Sequence, residues 1–196
     1  MKKLLSFLIA SLLPMVANAY DFKVANADGV TIYYRYINNG TELEVTGAGS
    51  YSYRGDVVIP EEVTFMNRTR KVTKIGTKAF YDCSRLTSVT IGNSVTIIGS
   101  EAFDSCKGLT SVTIPNSVTS IGERAFSGCS GLTSVKIPNS VTIIGSEAFV
   151  SCSGLTSVNI GNSVKTIGEL TFAGCSRLSS VKIPNSVTSI GDQAFW

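Results

Sequence analysis

Apolar residues recur along this chain with a period of 23 from about Arg54 to Trp196. One column holds Leu86, Leu109, Leu132, Leu155 and Leu178. A second holds Phe80, Phe103, Phe126, Phe149, Phe172 and Phe195, and a third Cys83, Cys106, Cys129, Cys152 and Cys175. Within a unit, Leu109, Val112 and Ile114 surround the polar Ser111 and Thr113, the period-two pattern of a short strand with one apolar side. Pro115 ends that strand because it has no N–H to give a ladder. Gly92 and Gly161 take its place in two copies, and Asn follows in every complete copy, which signals a turn. Val118 and Ile121 supply a second inward side. Gly76, Gly99, Gly122, Gly145, Gly168 and Gly191 form a column that calls for either positive φ or close backbone approach. Ala125, Phe126 and Cys129 then read as the apolar face of a short helical turn.

A fixed period in the twenties with apolar positions in register is the signature of a solenoid. One coil cannot bury these side chains alone. Stacked coils bury them against each other, with strands about 4.8 Å apart. The core is then a set of columns, like residue on like residue.

The motif L-x-x-V-x-I-P-N-S-V-x-x-I-G-x-x-A-F-x-x-C resembles the BspA-like subtype of the bacterial leucine-rich repeat family, over about Asp56 to Trp196. Ser117 stands where the broad consensus of such repeats places Asn. The resemblance implies an α/β repeat solenoid, a right-handed coil with a parallel β-sheet on one face and short helical turns on the other. It also implies a bacterial surface or secreted protein, of a group in which some members attach to host matrix proteins or other cells.

Residues 1–19 read as a secretory signal peptide. Lys2 and Lys3 precede the apolar run Leu4 to Leu13, and Ala17-Asn18-Ala19 supplies a cleavage site after Ala19. The run is too short to span a bilayer, so the expectation is a secreted or cell-surface protein with no membrane insertion once the signal is removed. Residues 20–53 depart from the repeat and alternate as strands, with Asn38-Asn39-Gly40 as a turn. They read as an N-terminal β cap over the first coil. Residues 54–85 form a repeat with nine extra residues around Val63 to Lys71, read as a solvated hairpin carrying Arg68, Arg70 and Lys71. Complete coils follow at 86–108, 109–131, 132–154 and 155–177, and 178–196 is incomplete. That last coil is expected to be the least stable, in a chain that is either a piece of a longer array or self-associates through the uncapped coil.

Charge and chemistry narrow the function. The chain has 17 basic and 14 acidic residues and no histidine. Without Lys2 and Lys3 the balance is near neutral, which argues against nucleic-acid binding. The lack of histidine removes His-based triads and metal sites. The cysteines are odd in number and spaced by one coil, which favours small buried hydrophobes over disulfides or a metal centre. Lys78, Glu101, Arg124 and Glu147 share one exposed column with alternating sign. No pair of carboxylates is singled out for glycoside hydrolysis, and the glycines follow the repeat rather than a phosphate-binding pattern. No enzyme, cofactor or metal is expected.

What is left is a surface. The outward strand positions run Ser88, Ser111, Ser134, Ser157, Ser180 and, two along, Thr90, Thr113, Lys136, Asn159, Lys182. Candidate ligand-binding residues on this sheet face are Ser111, Thr113, Ser134, Lys136, Ser157, Asn159, Ser180 and Lys182, with Lys136 and Lys182 foremost because their column varies. The expected function is a non-catalytic protein-binding or adhesion module whose partners are host matrix or other cell-surface proteins. The alternative is a structural spacer from a longer surface protein.

Overall fold

The computed structural model describes residues 20–49 and 52–196. The expected signal peptide, 1–19, lies outside the described residues. Three strands come first: β1 (Phe22–Ala25), β2 (Thr31–Ile37) and β3 (Glu42–Thr46), an antiparallel meander whose second connection is the 3-10 turn Asn38–Gly40. Strand β4 (Gly55–Ile59) follows, and then the hairpin of β5 (Glu62–Phe65) and β6 (Arg68–Ile75). Its two turn residues, Met66 and Asn67, both have positive φ, 50° and 57°. That is the turn geometry matching the twist of paired strands.

Each repeat contributes two short strands on opposite sides of the coil. The L-x-x-V-x-I segments form β7 (Leu86–Ile91), β9 (Ser111–Thr113), β11 (Ser134–Lys136) and β13 (Ser157–Asn159). The two residues before the glycine column form β8 (Ile97–Ile98), β10 (Ser120–Ile121), β12 (Ile143–Ile144), β14 (Thr166–Ile167) and β15 (Ser189–Ile190). Pairing between repeats is parallel and in register, one coil on the next. Where the sequence suggested one sheet face, there are two. The second is the more continuous among the described residues, running β1-β2-β3-β6-β8-β10-β12-β14-β15. The N-terminal meander therefore continues the repeat sheet, through parallel pairing of β3 with β6.

No helix forms in the repeats among the described residues, which corrects the expectation of short helical turns. The segment is instead a pair of successive turns. Ala79 N–H donates to Gly76 O at 3.2 Å and Cys83 N–H to Phe80 O at 3.1 Å. The third residue of each turn has positive φ. Lys78, Glu101, Arg124, Glu147, Leu170 and Gln193 lie at 52–59°, and Asp82, Ser105, Gly128, Ser151 and Gly174 at 54–72°. A left-handed residue at these places stops a helix. The remaining N–H groups turn to the next coil: Phe80, Phe103, Phe126, Phe149 and Phe172 donate to carbonyls of Ala102, Ala125, Ala148, Thr171 and Ala194 at 2.7–2.8 Å. Donors bonded along the stack are not free for i→i−4 bonds.

Of the two readings of the glycine column, close approach is the one found. Gly122 has no positive φ, and a Cβ there would sit 2.7 Å from Gly99 C and Ser100 N. Between the walls, the phenylalanines stack from Phe80 to Phe195 with centroids 4.8–5.4 Å apart and planes within 5–14°. Tyr53 extends the stack at the N-terminal end, 4.3 Å from Phe80. Its buried hydroxyl donates to Thr46 O at 2.7 Å and accepts from Tyr33 N–H at 3.1 Å.

The cysteine column is buried, and its thiols do more than fill space. Cys106, Cys129, Cys152 and Cys175 donate to the carbonyls of Phe80, Phe103, Phe126 and Phe149 of the preceding coil, at 3.0–3.2 Å. The serine that stands where broader repeats place Asn serves similarly in two coils. Ser117 Oγ donates to Val95 O and Ser140 Oγ to Val118 O, both at 2.6 Å.

Candidate interaction surface

The surface is built by the strands of the L-x-x-V-x-I segments. Strand alternation sends Val112, Val135 and Val158 toward the core and their neighbours outward. All eight expected residues are exposed: Ser111 and Thr113 on β9, Ser134 and Lys136 on β11, Ser157 and Asn159 on β13, and Ser180 and Lys182 on the last coil. Ser134 lies opposite Ser157, and Lys136 opposite Asn159. Asn159 in turn forms an isolated parallel bridge with Lys182. Lys136, Asn159 and Lys182 thus form one column, and Ser134 and Ser157 another. Ser111 and Thr113 sit in a separate group, paired with Ser88 and Thr90 of β7 in the sheet β4-β7-β9.

A carboxylate that the repeat pattern did not mark borders this face. Asp56, exposed on β4, accepts from Ser88 Oγ and Thr87 Oγ1, each at 2.7 Å. The hydroxyl of Ser88, then that of Thr87, holds its carboxyl below the usual range. The only signal for this in the sequence is its place in the strand of the first, irregular repeat.

Two recesses flank the face. One, of about 610 Å³, is lined by Ser52, Tyr53, Arg54, Ser84 and Arg85. The other, of about 340 Å³, is lined by Val158, Asn159, Ile160, Asn162, Lys182 and Pro184. A third hollow, of about 600 Å³, is apolar and lies in the last coil, where Leu178, Val181, Ile183, Phe195 and Trp196 line it. Trp196 is 81% exposed.

The opposite, turn-bearing side holds the charge column. Lys78 Nζ lies 3.3 Å from Glu101 Oε2, and Arg124 Nε lies 3.7 Å from both Asp104 Oδ2 and Glu147 Oε2. The pairs of Lys78 with Glu101 and of Arg124 with Glu147 lie at the surface and contribute ~0–1 kcal/mol each, while Asp104 is buried. Burial pushes the thiols of Cys106 and Cys129 well above their ordinary pKa, so they stay protonated and poorly nucleophilic at neutral pH. Among the described residues, no group of His, Cys, Asp and Glu side chains could hold a metal ion, and no helix is long and apolar enough to cross a membrane.

Comparison with known proteins agrees with this architecture. The family described as BspA type leucine rich repeat region matches residues 60–196, in six copies. The chain is similar to the crystal structure of a leucine-rich repeat protein from Bacteroides ovatus, with 32% identity and a TM-score of 0.66 over 90% of this chain and 50% of that one. It is similar to a leucine rich cell surface protein from Faecalibacterium prausnitzii, with 37% identity and a TM-score of 0.74 over 89% and 46%. The T. pallidum leucine rich repeat protein matches with 29% identity and a TM-score of 0.61 over 82% and 83%. This chain spans about half the length of the first two. No curated protein matches it.

Proposed function

The chain belongs to the BspA-type leucine-rich repeat family, and from that premise we propose that it is an exported, non-catalytic module that binds other proteins through the face carrying Lys136, Asn159 and Lys182. The partners are host matrix or cell-surface proteins. The single observation that carries this reading is the exposure of all eight outward strand residues on a polar surface held by a continuous apolar core. A solenoid of this kind offers an extended, rigid platform, and extended platforms suit protein partners. One similar structure is that of a cell surface protein, which supports export. The signal peptide at residues 1–19 delivers the chain, and the meander of β1 to β3 serves as the N-terminal cap. The buried, protonated thiols of Cys106 and Cys129 and the lack of histidine support a role without catalysis.

The test uses the buried thiols to advantage. In a Ser134→Cys variant the new thiol is the exposed one, so a maleimide-linked polyethylene glycol chain can be attached there. Attachment should abolish capture of matrix or cell-surface proteins by the folded chain. The same label at Glu123→Cys, on the turn-bearing side, should leave capture intact. Equal capture with both labels would rule out the strand face.

A further inference from the structure

We infer that the strand face takes an acidic polypeptide segment, an extended stretch of Asp and Glu in a partner protein; the inference rests on the proposed use of that face. The ground is a separation of charge that the near-neutral total conceals. From residue 85 onward, the strand-bearing parts of the coils (85–93, 107–116, 130–139, 153–162 and 176–185) contain Arg85, Lys107, Lys136, Arg177 and Lys182 and not one carboxylate. The turn-bearing parts contain Glu101, Asp104, Glu123, Glu147, Glu169 and Asp192 against Arg124 and Lys165.

The two sides differ in pairing as well as in sign. Arg124 on the turn side is paired twice, with Asp104 and Glu147. All five strand-side cations are exposed, and none of them takes part in an ion pair among the described residues. The carboxylates that border the face, Asp56 and Glu61 of the first repeat, accept from Ser88, Thr87 and Asn93 and form no ion pair with these cations, so the exposed cations of the later coils create a positive potential that attracts and orients an anionic partner.

Two of these cations stand where the fold favours glycine. Arg85 and Arg177 share a column with Gly108, Gly131 and Gly154. A Cβ on those glycines would lie 2.4, 2.7 and 2.3 Å from a backbone oxygen of the preceding coil. Pairing differs beside the two arginines. After Arg85 the register shifts once, between Gly55 and Asp56, and β7 then pairs with β4 through Ile91, whereas the strand after Arg177 is reduced to the single bridge of Asn159 with Lys182. Arg177, which brings unpaired charge to an exposed face where the strand is shortest, is explained by a ligand better than by folding.

The chemistry of the face selects the partner class. From β7 onward its outward columns carry Ser, Thr, Asn and Lys and no aromatic ring. It thus lacks the stacking platform used for nucleic-acid bases. Hydroxyl and amide donors between cations suit carboxylates. Lys136 and Lys182 are two coils apart, about 10 Å, so a ligand that meets both must be extended. Lys182 also lines the 340 Å³ recess, which gives one carboxylate side chain a place to enter.

The experiment measures binding of poly-L-glutamate to the whole chain by calorimetry, with heparin as the competing anion. Poly-L-glutamate should bind, and more weakly as salt rises. Lys136→Glu with Lys182→Glu should weaken it about tenfold or more, while Lys165→Glu on the turn side leaves it unchanged. Circular dichroism verifies that each variant is folded, and Lys136→Gln with Lys182→Gln should show an intermediate loss. No binding of poly-L-glutamate, binding indifferent to the reversal, or tighter binding of heparin through the same lysines would each overturn the inference. If polyethylene glycol at Ser134→Cys blocks capture of matrix proteins but the charge reversal does not, this inference fails and the proposed use of the face stands. If neither affects capture, both fail.

Discussion

The ring of Phe126 lies 5.0 Å from that of Phe103, with the planes 5° apart, and the ring of Phe149 repeats the arrangement on the other side at 5.2 Å. Phe126 is fully buried between them. Phe126→Ala should therefore open a cavity that rigid coils on both sides cannot close, at a cost of ~3–5 kcal/mol. Urea denaturation measures it. A loss below about 1 kcal/mol would contradict the stacked-column core.

Glycine acts in two opposite ways in these coils. Gly122→Ala should destabilise the fold by more than about 1 kcal/mol, because its Cβ would meet the backbone of Gly99 and Ser100 at 2.7 Å. Ser151→Gly should do the reverse. Ser151 is an exposed residue at φ 58°, in a column where Gly128 and Gly174 also occur. Removing its left-handed strain should add about 1 kcal/mol. Melting temperatures that move the same way in both variants would refute the assignment of the two columns.

The pH dependence has a defined sign. Burial raises the thiol pKa of Cys106 and Cys129 and the phenol pKa of Tyr34 and Tyr53 in the folded chain. Unfolded thiols ionise near ~8.5 and phenols near ~10. Above those values the unfolded chain releases protons that the folded chain keeps, so stability present at neutral pH is lost as pH rises. The denaturation midpoint should fall above about pH 9 and more steeply above about pH 10. Cys106→Val with Cys129→Val should flatten the first part of that fall. A midpoint that stays level through this range would count against protonated, buried thiols.

Arg177→Gly should lengthen the strand of the last coil. With the close-approach glycine restored, Ser180 to Lys182 can pair with β13 as Ser157 to Asn159 pair with β11. Hydrogen exchange at Val181 and Lys182 should slow in the variant. Unchanged exchange would mean that Arg177 does not cause the gap.

The repeat columns were legible in the sequence because burial in a solenoid is one-dimensional. A residue that packs on its own counterpart one coil away must recur at a fixed interval, so Phe126, Cys129 and Leu132 announced themselves by spacing alone. The outward positions of the strand face were legible for the same reason, since Ser134 and Lys136 alternate with Val135. The charge separation was also written in the sequence, yet it emerges only when strand-bearing and turn-bearing residues are sorted by side. Tertiary structure decided the rest. From β8 onward the second sheet comes from strands of two residues, such as Ser120–Ile121, too short to show a strand's alternation. The left-handed turns could not be read from residues such as Glu101 and Arg124, which do not favour positive φ. They adopt it because the N–H groups around them bond to the next coil, and that choice exists only once the coils are stacked.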